Sequence, residues 1–350
     1  MADLSPTRKL SHGRRARRLT LIPNARAQLR VAALAAVVTA VLVASVLIAA
    51  PAGATVPGPN GRIAFARFDS LIGDDATYTA NPDGSHVKRL FPGASGGPHW
   101  SPDGRFVEIG ACADPPICDT AAVIVDPRTG NYRVLRMPQP QRLFTGCSIW
   151  TPNGRRLACE GQGQSDSALN GIYTIRTSDG RGLARITVNP GGDDIPIDYA
   201  PDGRRLVFSR TDPARPSSPP GANHALFVVN SDGTGLHRIT PWGFFDDDGS
   251  WSPDGRKIAF EHNGNLFTVH PDGSDLEAVP LMTGTAHYAA GDFSWAPDGT
   301  RIAFLLFTWN TTSGPVREGI ATANPNGRSV QWVTTSPTFD HSTNWSTQRS

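Results

Sequence analysis

The sequence lacks a G-x-S-x-G elbow that opens a helix: its one match, Gly93-Ala94-Ser95-Gly96-Gly97, runs straight into Pro98 and a turn repeat. The strained strand-to-helix turn that presents a hydrolase serine therefore has no helix to complete it. No H-E-x-x-H occurs either, and the 9 histidines are scattered without paired spacing, so a zinc-protease helix is excluded. An excess of one charge is also lacking, with 33 Lys+Arg against 31 Asp+Glu. The glycines do not recur every third residue, which excludes a collagen helix. What the chain has in quantity is turn formers: 36 Gly and 30 Pro. At that density few segments can be long helices. Apolar residues make up 39%, too many for a disordered chain.

The near-balance of charge conceals two unlike pieces. Residues 1–30 carry Arg8, Lys9, Arg14, Arg15, Arg17, Arg18, Arg26 and Arg30 against the single acid Asp3. An uncharged run from Val31 to Ala50 follows, then Pro51-Ala52-Gly53-Ala54. A basic head, an apolar run and small residues make a secretory signal with cleavage expected after Ala54. The alternative is an uncleaved anchor, since a bilayer-spanning helix needs about 20 apolar residues. Both readings put residue 55 onward outside the cytoplasm. No cysteine lies near the cleavage point to support a lipid anchor there. Residues 1–54 are thus a targeting segment and 55–350 the folded domain. That domain keeps 25 bases against 30 acids, a net charge of −5. Mild acidity argues against nucleic acid as a partner.

The domain is built on a repeat. Trp100-Ser101-Pro102-Asp103-Gly104-Arg105 returns as Trp150-Thr151-Pro152-Asn153-Gly154-Arg155 and as Tyr199-Ala200-Pro201-Asp202-Gly203-Arg204. It returns again from Trp251 to Arg256 and from Trp295 to Thr300, and Pro59-Asn60-Gly61-Arg62 opens the domain without the aromatic. The glycines stand at 61, 104, 154, 203, 255 and 299. Pro pre-sets φ for one turn position, Asp or Asn suits the next, and Gly accepts positive φ. A β-prone triplet follows each time, such as Ile258-Ala259-Phe260 or Ile302-Ala303-Phe304. Further on comes a second strand–turn–strand phrase, as in Leu226-Phe227-Val228-Val229 up to Asp232-Gly233. Each unit therefore reads as four strands in two hairpins. Six units predict an all-β fold, a six-bladed β-propeller of four-stranded blades. The phasing predicts closure. The domain begins just before a blade turn and ends on Asp340 to Ser346, the piece its first blade lacks. The C-terminal strand should pair into the first blade, leaving no open edge.

The Trp-Ser-Pro-Asp-Gly-Arg phrase, in register with the later Asp-Gly turns over nearly all of residues 56–346, resembles the TolB-type WD40-like propeller repeat. The resemblance implies an extracytoplasmic propeller that binds other proteins. TolB itself has an α/β domain before its propeller, whereas only Thr55 to Pro59 stand between the targeting segment and the first turn. The same repeat type occurs in prolyl-oligopeptidase-like peptidases and in some metal-dependent sugar lyases. The peptidase would need an α/β-hydrolase domain, for which the repeats leave no residues over. A lyase by analogy would need several of His99, His224, His262 and His341 to meet in the channel.

Candidate site residues follow from the blade phasing. Asp193, Asp194, Asp246, Asp247, Asp248, Asp292, Asp340 and His341 lie three to six residues before the aromatic that ends each first strand. Equivalent positions converge at one channel mouth. There they could hold a hard cation such as Ca²⁺ or accept backbone N–H groups between blades. The second role is the one expected, with no cofactor. Cys112–Cys118 and Cys147–Cys159 are the expected disulfides, the latter pair flanking the turn at Asn153. Trp100, Trp150, Tyr199, Trp251, Trp295 and Trp345 recur once per unit and are expected at a core or inter-blade packing position. Two longer loops, Thr211 to Asn223 and Thr308 to Glu318, vary while the strands stay regular. With Arg210, Arg215, Trp309 and Arg317 they form the expected partner face. The function expected is non-enzymatic binding, by a monomer, of a protein at the cell envelope. The competing reading is a cation-dependent propeller enzyme or a carbohydrate-binding module.

Overall fold

The computed structural model describes residues 57–111, 120–136, 143–216, 222–243, 249–283, 287–310, 314–335 and 340–348. Among them run 24 strands. Blade 1 starts with β1 (Asn60–Asp69), β2 (Asp74–Ala80) and β3 (Lys88–Arg89). Blade 2 holds β4 (Gly96–Trp100), β5 (Val107–Gly110), β6 (Thr120–Val125) and β7 (Tyr132–Arg136). Blade 3 holds β8 (Leu143–Trp150), β9 (Arg156–Gly163), β10 (Gly171–Arg176) and β11 (Ala184–Arg185). Blade 4 holds β12 (Asp194–Tyr199), β13 (Arg205–Thr211), β14 (His224–Asn230) and β15 (His237–Arg238). Blade 5 holds β16 (Gly249–Trp251), β17 (Ile258–His262), β18 (Asn265–Val269) and β19 (Glu277–Val279). Blade 6 holds β20 (His287–Trp295), β21 (Ile302–Asn310), β22 (Gly314–Ala323) and β23 (Gln331–Trp332). The last strand, β24 (Asp340–Thr347), pairs antiparallel with β1 and completes the first sheet in the order β24-β1-β2-β3.

The six first strands touch one another in sequence, β24 to β4, β8, β12, β16, β20 and back to β24. They form the inner ring. Each starts at one mouth of the channel, called the upper mouth below, and runs to the lower mouth, where the Pro-Asp-Gly turns lie. At those turns Gly104, Gly154, Gly203, Gly255 and Gly299 have φ between 63° and 73°. That conformation costs glycine nothing. Gly61 serves differently. It lies within β1 beside the closing strand, and a Cβ there would stand 2.2 Å from the Ser346 Oγ. No side chain fits between β1 and β24.

Six apolar clusters fill the six seams between neighbouring blades. Each seam contains one repeat aromatic: Trp100, Trp150, Tyr199, Trp251, Trp295 or Trp345, none more than 6% exposed. Polar links accompany them. The residue before the aromatic reaches across to the next blade's aromatic backbone N–H. Asn344 Oδ1 accepts from Trp100 N at 2.7 Å, Asp198 Oδ2 from Trp251 N at 2.7 Å and Ser294 Oγ from Trp345 N at 3.0 Å. Such buried N–H groups must be paired, and here the neighbouring blade supplies the acceptor.

Cys147 and Cys159 form a disulfide across β8 and β9. The register that places them opposite is not that of a symmetric turn. Trp150 pairs with Leu157, and a bulge after Cys147 absorbs one residue to bring Cys147 onto Cys159. The pair Cys112–Cys118 lies outside the described residues. Replacing both Cys147 and Cys159 by serine should cost up to about 3 kcal/mol in the chain-entropy model for so short a loop. Thermal melting of the double variant beside the oxidised parent measures it.

Candidate functional site at the upper mouth

Among the described first-strand acids, Asp194, Asp292 and Asp340 are each engaged by protein groups at the upper mouth. Asp194 is 1% exposed. Its two oxygens accept from Arg210 Nε and Nη2, both at 2.7 Å. Thr187 Oγ1 and Asn189 Nδ2, from the last turn of blade 3, also donate to it. Asp340 is fully buried and repeats the arrangement at the opposite side of the ring. Arg67 donates to both its oxygens at 2.5 and 2.9 Å, and Thr334 Oγ1, from the end of blade 6, donates at 2.6 Å. The two arginines are also wedged against aromatics, Arg67 against Phe65 and Tyr78, Arg210 against Phe208 and Phe227. Blade-to-blade staples result, each a buried carboxylate with a bidentate guanidinium and a threonine from the preceding blade.

Asp292 has a different task. It takes a left-handed φ of 55°, and its Oδ2 accepts the Ser342 N–H of blade 1 at 2.7 Å. His341 stands beside it. Its Nε2 lies 3.2 Å from Asp75 Oδ2 and its Nδ1 2.9 Å from Ser342 Oγ. Burial opposes charging this imidazole, but the bond to Asp75 and the charges of Asp292, Asp75 and Asp340 outweigh it and raise its pKa above 6.5. Asp246, Asp247 and Asp248 lie outside the described residues. Among the described residues no three His, Cys, Asp or Glu side chains gather as a metal site would require.

Two acidic groups at this end went unnoticed in the sequence. Burial, reinforced by the Asp193 and Asp194 charges, pushes Glu160 on β9 up to about 7 against the opposing bond from Gln162. Burial likewise raises Glu318, with Asp340 adding to it. A carboxyl whose folded pKa lies above its unfolded value stabilises the fold at low pH. That contribution fades as pH rises from about 4.5 through 7. Glu160→Gln should therefore leave the melting temperature unchanged at pH 4.5 and raise it at pH 8, by at most about 3 kcal/mol of stability. Paired melts at the two pH values check this.

A third buried acid, Glu108 on β5, occupies the slot that holds Ala or Val in most blades. It faces His99 Nδ1 at 3.3 Å, both side chains almost wholly buried. Desolvation holds His99 down to about 3 and lifts Glu108 well above its ordinary value.

The residues expected to form the partner face divide. Arg210 is committed to Asp194 and only 14% exposed. Arg215 folds back over Trp242 at 4.7 Å and pairs with Asp212 at 3.2 Å, fixing the base of the 211–223 loop. Arg317 is exposed and lies over Trp332 at 4.1 Å. Trp309 sits on β21 opposite His287. At the lower mouth, a groove of about 810 Å³ opens beside the Ser252–Lys257 and Pro297–Gly299 turns. Its charged groups are used locally, Lys257 by Glu277 and Asp298 by Asn60.

No family model matches the chain, and no curated protein matches it. Solved structures do. TolB from Acinetobacter baumannii aligns over 84% of this chain and 68% of its own, at 18% identity with a TM-score of 0.60. A putative TolB from Agrobacterium tumefaciens aligns over 82% of this chain and 98% of its own, at 14% identity with a TM-score of 0.55. Hydrazine synthase of Kuenenia stuttgartiensis aligns over 83% of this chain and 47% of its own, at 14% identity with a TM-score of 0.60. At such identities the likeness concerns the fold, and the same fold serves unrelated functions. By strand order, ring closure and these neighbours, the chain folds as a six-bladed propeller of the TolB type.

Proposed function

We propose that this protein is a non-enzymatic, extracytoplasmic binding protein that recognises a protein at the cell envelope through its upper face. The observation that carries the reading is the use of the mouth acids. Asp194, Asp340 and Asp292 are each tied to a neighbouring blade, through Thr187 and Asn189, through Thr334 and through the Ser342 N–H, while Arg210 and Arg67 fix the first two carboxylates from within their own blades. Carboxylates so used tie the ring together, and the variable loops above them are left to meet a partner. The Arg215–Trp242 contact supports this, because it gives the 211–223 loop a fixed base. The disulfide between Cys147 and Cys159 and the export signal expected in residues 1–54 support a place outside the cytoplasm.

The competing reading, a cation-dependent enzyme or sugar-binding module working in the channel, draws on the His341–Asp75 pair at the mouth. Binding of envelope proteins to the immobilised full chain, with and without residues 213–222, separates the two. The protein-binding reading predicts that at least one captured protein is lost with the loop. Retention of every captured protein by the deletion variant would remove the upper loops from the function.

A further inference from the structure

The hairpin joining β1 to β2 carries the sequence Asp69-Ser70-Leu71-Ile72-Gly73-Asp74-Asp75 at the upper, outer corner of blade 1. Leu71 is 90% exposed and Ile72 37%, and Leu71 is the most exposed large apolar residue among those described. This apex is held firmly. The Asp69 carboxylate accepts the Leu71 N–H at 2.9 Å and the Tyr78 hydroxyl at 3.2 Å, and pairs with Arg89 at 2.9 Å. The Asp69 carbonyl accepts both the Ile72 and Gly73 N–H groups. Gly73 takes a φ of 68° in open space. One acid thus anchors the turn from five directions, and the anchored turn points a leucine into water.

Nothing in the fold needs that leucine outside. Of the comparable tips that are fully described, His262-Asn263-Gly264-Asn265 of blade 5 is polar, and that of blade 3 packs its Leu169 against an apolar seam. A pre-ordered apolar side chain loses little entropy on insertion into a partner, which suits it to act as an anchor. The collar states the partner's charge. Asp74 is exposed, Asp75 is half-exposed beside His341, and the nearest bases, Arg67 and Arg89, are already paired with Asp340 and Asp69. An anionic lipid surface would repel this collar. We propose that Leu71 and Ile72 form a docking knob for a protein whose surface offers an apolar socket rimmed by lysine or arginine. The proposal rests on the protein-binding reading above and names the kind of partner and the contact residue.

Replacement of Leu71 by p-benzoylphenylalanine in the full chain, expressed in its native host and irradiated, tests it. The same replacement at Leu236, 44% exposed on the lower outer edge, is the control. The expected result is one protein cross-linked from position 71 and not from 236, through a peptide whose apolar residues are flanked by Lys or Arg. With that protein purified, Leu71→Asp should weaken binding at least about tenfold and Asp74→Lys should weaken it further at low salt. Both substitutions lie on an exposed tip, and unchanged melting temperatures verify the fold. Cross-linking to lipid, to a second copy of the chain, or to nothing beyond the Leu236 control overturns the knob. So does a protein partner whose affinity is indifferent to Leu71→Asp. If the knob fails while the loop deletion still releases a partner, only the knob is lost and the protein-binding reading stands.

Discussion

Deleting residues 340–350 is expected to abolish cooperative folding, not merely to trim a terminus. β24 is the innermost strand of blade 1 and pairs with β1 from Asn60↔Thr347 to Arg67↔Asp340. Its removal takes Trp345 out of the seam between blades 6 and 1. It removes the Asn344 acceptor from Trp100 N and the Asp340 carboxylate from Arg67. It also exposes the inner edge of β1, a ready site for aggregation. Losing a buried tryptophan alone costs about 3–5 kcal/mol. Stranding the half-buried Arg67 adds about 3 kcal/mol, the low end for a broken pair. The sum reaches the whole stability of an ordinary domain, about 5–15 kcal/mol. The truncated chain should show no cooperative thermal transition. Trp345→Ala should still fold and lose about 3–5 kcal/mol. A truncated chain that melts cooperatively within a few degrees of the parent would mean that the ring is not closed at this strand.

The second large effect is expected at the blade 3–blade 4 staple. Asp194→Ala leaves the Arg210 guanidinium, Thr187 Oγ1 and Asn189 Nδ2 without their acceptor. Breaking a buried pair by removing one partner costs about 3–5 kcal/mol, toward the low end here because Arg210 keeps some contact with water. Arg210→Met should cost less, since methionine still fills the space between Phe208 and Phe227. The double variant Asp194→Ala/Arg210→Met should recover part of the loss, giving a coupling energy above about 1 kcal/mol. Chemical denaturation of the four proteins measures the cycle. Additive losses would show that the ion pair is not what Asp194 is for.

Much of this was legible in the sequence because the fold repeats. Pro102-Asp103-Gly104 and its copies are turn chemistry six times over, and their spacing counts the blades. The aromatic at 100, 150, 199, 251, 295 and 345 declared a packing position by recurrence, and the structure places it in the seams between blades. The interlocks were not legible, for two physical reasons. They vary in residue type, since Asn344, Asp198 and Ser294 do the same job with different side chains. They also join residues far apart in the chain, as Arg67 and Asp340 do. A signal did exist in Phe65-x-Arg67 and Phe208-x-Arg210, an arginine two places after the strand phenylalanine in blades 1 and 4. Bulges were the other gap. They shift the inner-strand register in blades 1, 2, 3, 4 and 6, and a two-residue alternation does not reveal them. Cys147 and Cys159 came out as partners although the symmetric turn that suggested them does not exist; the bulge supplies the missing residue. Glu108 in an alanine slot and the apolar apex at Leu71 also break the repeat. Such departures from a repeat mark the positions where this chain differs from a bare scaffold.

The most direct test of the central claim, that the mouth acids tie the ring together and hold no cation, is metal analysis of the purified protein joined to thermal melting with and without EDTA. Staples centred on Asp194, with Thr187 and Arg210, and on Asp340, with Thr334 and Arg67, predict less than one equivalent of any divalent metal and the same melting temperature in both buffers. A stoichiometric cation, with a melting temperature that falls on chelation and returns when the metal is restored, would contradict it.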